Sequence, residues 1–284
     1  MTPQDFDYLR RLLKDRSGLV LAAEKQYLAE SRLLPVARRH GLSSLTELIA
    51  KLKTPSSLLA IEVVEAMTTN ETFFFRDKIP FEQVRDVIMP ELIAARAREK
   101  RIRIWCTAAA SGQEPYSLAM IVKSMGAALA GFRVEILATD IAGEVLERGK
   151  AGLYSQFEVQ RGLPIQLLVK YFTQTGGMWQ IAPEIRAMVQ FRPLNLLNDF
   201  KPLGTFDLVF CRNVLIYFDQ ETKTRVLERI ARQMAEDGKL VLGAAETVVG
   251  LTDALKPVPE RRGLYGPNAA RRARAPLAET RQMG

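Results

Sequence analysis

Residues 101–120, RIRIWCTAAASGQEPYSLAM, predict a buried strand, a loop of small residues and a helix in direct succession. Successive side chains of a strand point to opposite faces, and residues 101–106 would place apolar side chains on both faces, as in a strand buried inside a sheet. Residues 108–112 are all alanine, serine or glycine. Glu114 and Pro115 then begin a run with helical spacing, where proline suits the first turn. In α/β folds this succession lets a nucleotide-like ligand approach the backbone.

The loop differs from the glycine-rich loops that hold dinucleotides. It contains a single glycine, Gly112, and an acidic residue, Glu114, stands at the start of the helix. That carboxylate would repel a pyrophosphate, but it suits a ligand with a cationic end. S-adenosylmethionine is such a ligand, because it carries a sulfonium and an ammonium and no phosphate. The loop alone leaves a second interpretation open, in which its small residues only let the helix pack closely on the strand.

Composition narrows the class of protein. The 284 residues suffice for one large domain or two modest ones. No apolar run reaches the roughly 18–20 residues that span a bilayer, and the N-terminus has no signal-peptide core. Cys106 and Cys211 lie in apolar runs, as buried free thiols of a reducing compartment do. We therefore expect a cytoplasmic protein without membrane insertion, and the lack of metal-ligand spacing predicts no metal site.

Histidine content and net charge add two constraints. His40 is the only histidine, which disfavours histidine-dependent acid–base chemistry and favours a reaction that needs little proton transfer. The net charge of +8, with lysine and arginine concentrated near both ends of the chain, is typical of a protein with an acidic partner such as nucleic acid, a membrane surface or an acidic protein. Ordinary solvated helix faces explain the same charge equally well.

The chain divides into four predicted segments. Residues 1–70 carry helix signals only, and we interpret them as a helical N-terminal domain. Residues 71–100 predict a linker and a connecting helix. Residues 101–267 alternate strand and helix, interrupted at about 172–190 by a small β insertion. Residues 268–284 are rich in alanine, arginine and proline and predict a disordered tail.

The alternation after residue 101 predicts a doubly wound, mostly parallel α/β sheet, in which ligands bind outside the carboxyl ends of the strands. Those ends carry the small-residue loop, Asp140, Asn195 and residues 212–217. Asp140 ends the second strand, where nucleoside-binding folds hold ribose hydroxyls. An aspartate there also suits the cap of the next helix, but we favour the ligand role because the small-residue loop precedes it.

Five stretches at these positions resemble the CheR-type family of chemotaxis receptor glutamate methyltransferases. They are TTNETFFFR at 68–76, WCTAAASGQEPYSLAM at 105–120, ATDI at 138–141 with VLERGKAGLY at 145–154, FRPLNLL at 191–197 and FDLVFCRNVLIYFD at 206–219. The resemblance implies a class I S-adenosylmethionine-dependent methyltransferase fold behind an all-α N-terminal domain. It also implies that receptor glutamates are converted to 5-O-methyl esters in chemotaxis adaptation.

The resemblance also implies a site. S-adenosylmethionine would be the cofactor and S-adenosylhomocysteine its product. Tyr217 matches a tyrosine that the family places near the transferred methyl group. Arg98, or Arg96, stands where the family has an arginine near the acceptor, on the helix before the first strand. The residues implied to contact the cofactor, matched by motif position, are Asn70, Thr72, Arg76, Glu114, Asp140, Asn195, Leu196, Arg212 and Asn213.

The partners that the resemblance implies are acidic cytoplasmic helices of chemotaxis receptors. We expect the basic N-terminal domain to contact them through Lys25, Arg32 and Arg39, which are spaced seven apart and so fall near one helix face. Family members that dock on a receptor tail peptide carry a longer, glycine-containing hairpin loop in the β insertion. In this sequence the corresponding loop, within residues 173–179, is shorter, so we do not expect docking on a receptor tail peptide.

Two alternatives differ in class. A basic protein of this fold can be a nucleic-acid base methyltransferase, but those that methylate exocyclic amines carry an Asn/Asp-Pro-Pro-aromatic turn after the fourth strand. Residues 212–215 contain no proline, which argues against a nucleic-acid partner. A non-catalytic adaptor that uses the fold for binding only is the second alternative, and the sequence leaves it open.

Overall fold

The N-terminal region is a bundle of helices in the computed structural model, which describes residues 1–54 and 57–272. Its apolar faces meet in a core of their own, which includes the fully buried Leu9, Leu33 and Leu48. This core explains why the bundle forms, since helices of this length are marginal without packing. The helices are α1 (Pro3–Ser17), α2 (Gln26–Arg39), α3 (Leu45–Leu52) and α4 (Ser57–Met67).

Local sequence sets the ends of these helices. Thr2 and Asp5 form a reciprocal capping box at the start of α1, and Gly18 ends the helix in the left-handed conformation that glycine adopts without strain. Ser44 accepts a hydrogen bond from the backbone of Glu47, but the Glu47 side chain binds the backbone N–H of Ser43 instead of Ser44. Ser44 and Glu47 therefore form only one of the two hydrogen bonds of a capping box.

The connecting helix runs without a gap from Ile79 to Ala95 and contains a π turn in its middle. It comprises α5 (Ile79–Gln83), a π turn (Val84–Ile88) and α6 (Met89–Ala95). It thus ends at Ala95, before the turn that leads into the first strand.

The C-terminal region is organised around a seven-stranded sheet of order β6-β2-β1-β7-β8-β10-β9. The five strands from β6 to β8 are parallel to their neighbours, and β10 is antiparallel to both β8 and β9. This is the predicted doubly wound, mostly parallel architecture. The strands are β1 (Arg101–Cys106), β2 (Arg133–Asp140), β6 (Val189–Pro193), β7 (Phe206–Cys211), β8 (Met234–Leu242), β9 (Leu255–Pro257) and β10 (Leu264–Pro267). The helices that flank them are α7 (Gln113–Ser124), α8 (Gly143–Ala151) and α12 (Gln220–Arg232).

Strand β1 lies in the middle of the sheet and separates two layers of core. Ile102 and Ile104 pack on one face, whereas Trp105 packs on the other with Phe200 and Phe206, at ring-centroid distances of 5.0 and 5.3 Å. Both faces of the strand are covered, which agrees with its apolar residues on both sides.

A second, small antiparallel sheet has the order β3-β5-β4. Its strands β4 and β5 are joined by Gly176 and Gly177, whose φ angles of 54° and 80° suit a two-residue type I′ turn. The sheet takes one strand from outside the predicted segment 172–190, and Val189 inside that segment instead pairs with Ile136 in the large sheet. The elements here are β3 (Leu153–Ser155), α9 (Gln156–Gln160), α10 (Ile165–Tyr171), β4 (Phe172–Thr175), β5 (Met178–Ile181) and α11 (Pro183–Arg186).

The described chain ends in a short helix, α13 (Ala269–Arg272). Residues 273–284, most of the predicted disordered tail, lie outside the described residues. Among the described residues, none of the helices combines the length and apolarity needed to cross a bilayer.

Candidate active site

A cavity of about 870 Å³, including its open mouth, lies at the carboxyl ends of β1, β2, β6 and β7. Segment 68–76 and the end of α1 complete its walls, so both regions of the chain contribute. The structure brings to this cavity all nine residues that the resemblance implied as cofactor contacts, together with Tyr217. Open α/β sheets bind ligands outside the carboxyl ends of their strands, which is where this cavity lies.

The loop between β1 and α7 is packed too tightly for a side chain at its glycine. Gly112 has a φ of 93°, and a Cβ atom there would lie 3.0 Å from the Phe191 ring and 3.1 Å from the Tyr116 ring. Both the conformation and the space therefore require glycine. The small residues of the loop therefore do allow close packing, which was the second interpretation of the sequence. Ala108 and Ala110 of the same loop also line the cavity.

Asp140 is buried at the end of β2 and supports the same loop. One carboxylate oxygen accepts a hydrogen bond of 2.9 Å from the Ala110 N–H, and the other accepts one of 3.0 Å from Ala142 at the start of α8. Burial raises the pKa of this carboxyl group. Asp140 thus tethers the start of α8 and lines the cavity at once.

Arg212 and Glu114 form an ion pair of 2.8 Å in the cavity wall, with side chains only 1% and 10% exposed. The arginine also lies 2.7 Å from Asp77 and donates to the Arg76 carbonyl oxygen at 3.0 Å. Burial raises the pKa of Glu114, and the adjacent guanidinium opposes that rise. The pair joins the turn after β7 to the start of α7 and to the segment that follows residue 68.

The turn after β7 presents Asn213 and Tyr217. Asn213 has a φ of 58°, a left-handed conformation that asparagine tolerates better than most residues. Tyr217 is half-buried, and its carbonyl oxygen accepts a hydrogen bond of 2.9 Å from the backbone of Val20. The buried Glu246, which the sequence did not single out, holds the same turn from the other side.

The end of α1 forms a wall that the sequence did not predict. Ser17 and Leu19 line the cavity. A Cβ atom on Gly18 would lie 3.1 Å from the Phe218 ring, so glycine permits this close approach. Asn195 donates a side-chain hydrogen bond to the carbonyl oxygen of Arg16. The glycine is visible in the sequence as a helix stop, but nothing in the sequence tells what it packs against.

The structure contradicts the placement of Arg98, or Arg96, near the acceptor. Both residues follow α6 and precede the amino end of β1, at the edge of the sheet opposite the cavity. Arg98 is exposed, and Arg96 lies 2.7 Å from Asp207, near the amino end of β7. Among the residues that the structure describes, the arginines that line the cavity are Arg76 and Arg212.

The structure also shows that two of the three basic residues predicted to form a docking face on α2 are engaged within the protein. Arg32 donates hydrogen bonds of 2.7 and 2.9 Å to the carbonyl oxygens of Met67 and Thr68. Arg39 lies 2.6 Å from Glu62 of α4. Arg32 therefore stabilises the segment that leads into the cavity, which is a structural role.

The groups that border the cavity suit S-adenosylmethionine. Glu114 and Asp140 offer carboxylate oxygens to an ammonium and to hydroxyls. The Nε atom of Arg212, a residue of the cavity wall, is buried without a hydrogen-bond partner in the described part of the chain, although buried polar groups are normally paired. Within the same residues, no cluster of histidine, cysteine, aspartate or glutamate is arranged to hold a metal ion.

Comparison with known proteins agrees with this geometry along most of the chain. Residues 4–68 match the family model of the CheR methyltransferase all-alpha domain, and residues 70–264 match that of the CheR methyltransferase SAM binding domain. The chain is 45% identical over 255 residues to chemotaxis protein methyltransferase 1 of Pseudomonas aeruginosa, covering 88% of this chain and 92% of that one. It is 39% identical over 262 residues to chemotaxis protein methyltransferase 1 of Vibrio cholerae, covering 91% and 94%.

A relative of lower sequence identity matches over a similar length of the chain. The chemotaxis protein methyltransferase of Borreliella burgdorferi is 35% identical over 253 residues, covering 86% of this chain and 89% of that one. The similarity spans the helical bundle and the sheet together, and it distinguishes an enzyme from a binding-only adaptor. The chain belongs to the CheR methyltransferase family and is an S-adenosylmethionine-dependent methyltransferase of bacterial chemotaxis.

Proposed function

We propose that this methyltransferase acts on glutamate side chains of chemoreceptors and converts them to 5-O-methyl esters. The observation that carries the proposal is the composition of the cavity: Tyr217 and Arg76 stand in it beside the carboxylates, and no histidine lines it. The only histidine of the sequence, His40, lies at the end of α2, where it contacts Glu62 at 2.6 Å. This composition fits an acceptor that requires no proton to be removed.

The proposed cofactor contacts are the residues that line the cavity floor and walls. When bound, S-adenosylmethionine supplies a methyl group on a positively charged sulfur. Glu114 and Asp140 offer acceptors for its ammonium and hydroxyl groups, and Arg212 keeps Glu114 in place. The full proposed set is Asn70, Thr72, Glu114, Asp140, Asn195, Leu196, Arg212 and Asn213, all of which line the cavity.

The acceptor needs to be positioned but not activated. A glutamate side chain has a reference pKa of about 4.3 and is already an anion at neutral pH. We assign the acceptor role that had been expected of Arg98 to Arg76, whose guanidinium donates to the Glu71 carbonyl oxygen at 2.9 Å and has further N–H groups. Too strong an ion pair would stabilise the ground state. We therefore infer that Arg76 and Tyr217 orient the carboxylate of the acceptor in the cavity.

The surface proposed for receptor docking is the groove between α1 and the segment after it. Arg10, Arg11 and Lys14 line this groove together with Asp7, Val20 and Leu21. Arg10 pairs with Asp7 and Lys14 pairs with Asp219, so within the described part of the chain Arg11 is the groove cation that has no ion pair. The Val20 backbone contacts Tyr217, so the groove lies beside the cavity. A basic groove leading to the cavity suits acidic receptor helices, which electrostatic attraction would steer. A receptor tail peptide is not part of the proposal, because only two glycines join β4 to β5.

Methyl transfer from radiolabelled S-adenosylmethionine to receptor-containing membranes tests the proposed function. We expect label on the receptor that mild base releases, because carboxyl methyl esters are base-labile and N-methyl groups are not. Membranes without receptor are the matched control. Base-stable label, or no label above the control, would contradict the assignment of a glutamate acceptor.

A further inference from the structure

Glu246 is a buried carboxylate that binds only backbone N–H groups among the hydrogen bonds of the described residues. It is 8% exposed and follows β8 by four residues. One oxygen accepts from the N–H groups of Asn213 at 2.9 Å and Gly243 at 2.8 Å. The other accepts from three consecutive residues of the turn after β7, Val214 at 3.0 Å, Leu215 at 2.8 Å and Ile216 at 3.4 Å.

Gly243 leaves room for this carboxylate. A Cβ atom at Gly243 would lie 2.7 Å from the nearer Glu246 oxygen and 3.0 Å from both the backbone nitrogen and the side-chain Nδ2 of Asn213. Any other residue at this position would push apart the carboxylate and the turn. The end of β8 is thus built to bring one acid against the backbone of the turn.

The turn that Glu246 holds carries two residues of the proposed site. Asn213 and Tyr217 both line the cavity, and the hydrogen-bonded backbone lies between them. The left-handed conformation of Asn213 is one that a turn keeps only when its surroundings enforce it. Glu246 supplies that constraint from outside the cavity, since it does not line the cavity itself.

We propose that Glu246 is a positioning residue for methyl transfer, which acts by fixing the backbone of residues 213–216 and thereby the side chain of Tyr217. The inference rests on the proposed role of Tyr217 in the reaction. Only a carboxylate fits the arrangement, because both of its oxygens face N–H donors. A carboxamide at the same place would turn its NH₂ group toward one of the two sets of donors and release that part of the turn.

The test compares Glu246→Gln with the wild-type protein in the receptor-methylation assay. We expect kcat to fall by about 10- to 100-fold, as a small misplacement of a catalytic group does. Affinity for S-adenosylhomocysteine, measured by calorimetry, should change by less than about threefold, because the variant leaves most cofactor contacts intact. Wild-type kcat in the folded variant would overturn the proposal.

A double-mutant cycle with Tyr217→Phe separates positioning from a general loss of structure. If Glu246 acts through Tyr217, E246Q costs much less in the Phe background than alone, whereas independent effects multiply. The matched control is Asp207→Asn, another acid with 8% exposure, which holds Arg96 and the Arg103 backbone at the opposite edge of the sheet. It should lower Tm and leave kcat unchanged.

The experiments separate failure of the positioning role from failure of the proposed function. If E246Q does not fold, Glu246→Asp carries the same test: its shorter side chain cannot reach both sets of donors, and wild-type kcat in that variant would overturn the proposal. Multiplicative losses in the double-mutant cycle would also overturn it. A wild-type protein that does not methylate receptor would instead contradict the proposed function itself.

Discussion

Lys14 of α1 lies 2.8 Å from Asp219, the residue that caps α12. Asp219 also accepts a hydrogen bond of 2.9 Å from the backbone of Thr222, and these partners hold the pKa of its carboxyl group well below the usual range. Asp219 follows Tyr217 by two residues. The contact therefore connects the helical bundle to the turn that carries the proposed acceptor-binding tyrosine.

This contact predicts a pH-dependent stability difference for Asp219→Asn, which keeps a capping oxygen and removes the charge. A group whose pKa is lowered in the folded state stabilises it only while ionised. The wild-type protein should therefore be more stable at neutral pH. Its advantage should shrink as the pH falls below about 5, through the reference pKa of aspartate, and should disappear only when the pH reaches the lowered pKa of the folded state. Urea unfolding of both proteins at several pH values measures the difference. A difference that does not change with pH would contradict the role of the ion pair.

Asp140→Ala should weaken binding of S-adenosylmethionine by about 1–3 kcal/mol, the usual cost of leaving buried hydrogen-bonding groups unpaired. Part of the loss comes from the loop, because the Ala110 N–H also loses its acceptor. Calorimetry on the folded variant measures the affinity. Asp207→Ala is the control, since that acid is equally buried at the opposite edge of the sheet. It should lower stability without changing cofactor affinity, and unchanged affinity in the Asp140 variant would rule out the assignment.

Tyr217→Phe should lower kcat by about tenfold or more and leave cofactor affinity nearly intact, because only the hydroxyl that orients the acceptor is removed. The same substitution at Tyr27, which is 68% exposed on α2, is the matched control and should leave both quantities unchanged. Loss of cofactor binding in the Tyr217 variant would show that the tyrosine belongs to the cofactor site or to the fold.

The residues at strand ends were predictable because a parallel sheet brings the carboxyl ends of its strands to one edge. Glu114, Asp140 and Arg212 follow from that rule once the strands are recognised. The same rule excludes Arg98: a helix that precedes β1 must deliver the chain to the amino end of that strand. Helical spacing alone carries no information about which edge of the sheet a residue reaches.

The residues that the sequence did not reveal act through the backbone or across the two regions. Glu246 binds N–H groups, which every residue except proline possesses, so its partners leave no pattern in the sequence. Ser17 and Leu19 reach the cavity only because Gly18 allows α1 to pack on Phe218. The first residues of β6 fall inside the segment predicted as a small β insertion, because a short apolar run does not identify the sheet to which it belongs.

The groove on α1 predicts that Arg11→Glu lowers receptor methylation without changing cofactor binding. Arg11 is exposed on the face of α1 that also carries Arg10 and Lys14, and it lies outside the cavity. Charge reversal replaces attraction to an acidic helix by repulsion, so it should slow encounter by about three- to tenfold at low ionic strength. Salt screens exposed charges over about 10 Å at 0.1 M, so this difference should shrink as salt is added. Methylation rates measured across a salt series should therefore converge at high salt.

The matched control for this variant is Lys51→Glu, the same change of charge at an exposed position on α3. If the groove steers the receptor, the Lys51 variant should methylate at nearly the wild-type rate at every salt concentration, because Lys51 does not line the groove. Equal rates for the Arg11 variant and the wild-type protein across the series would mean that the α1 face is merely solvated. Equal losses in both variants would indicate a response to net charge, in which the groove has no special part.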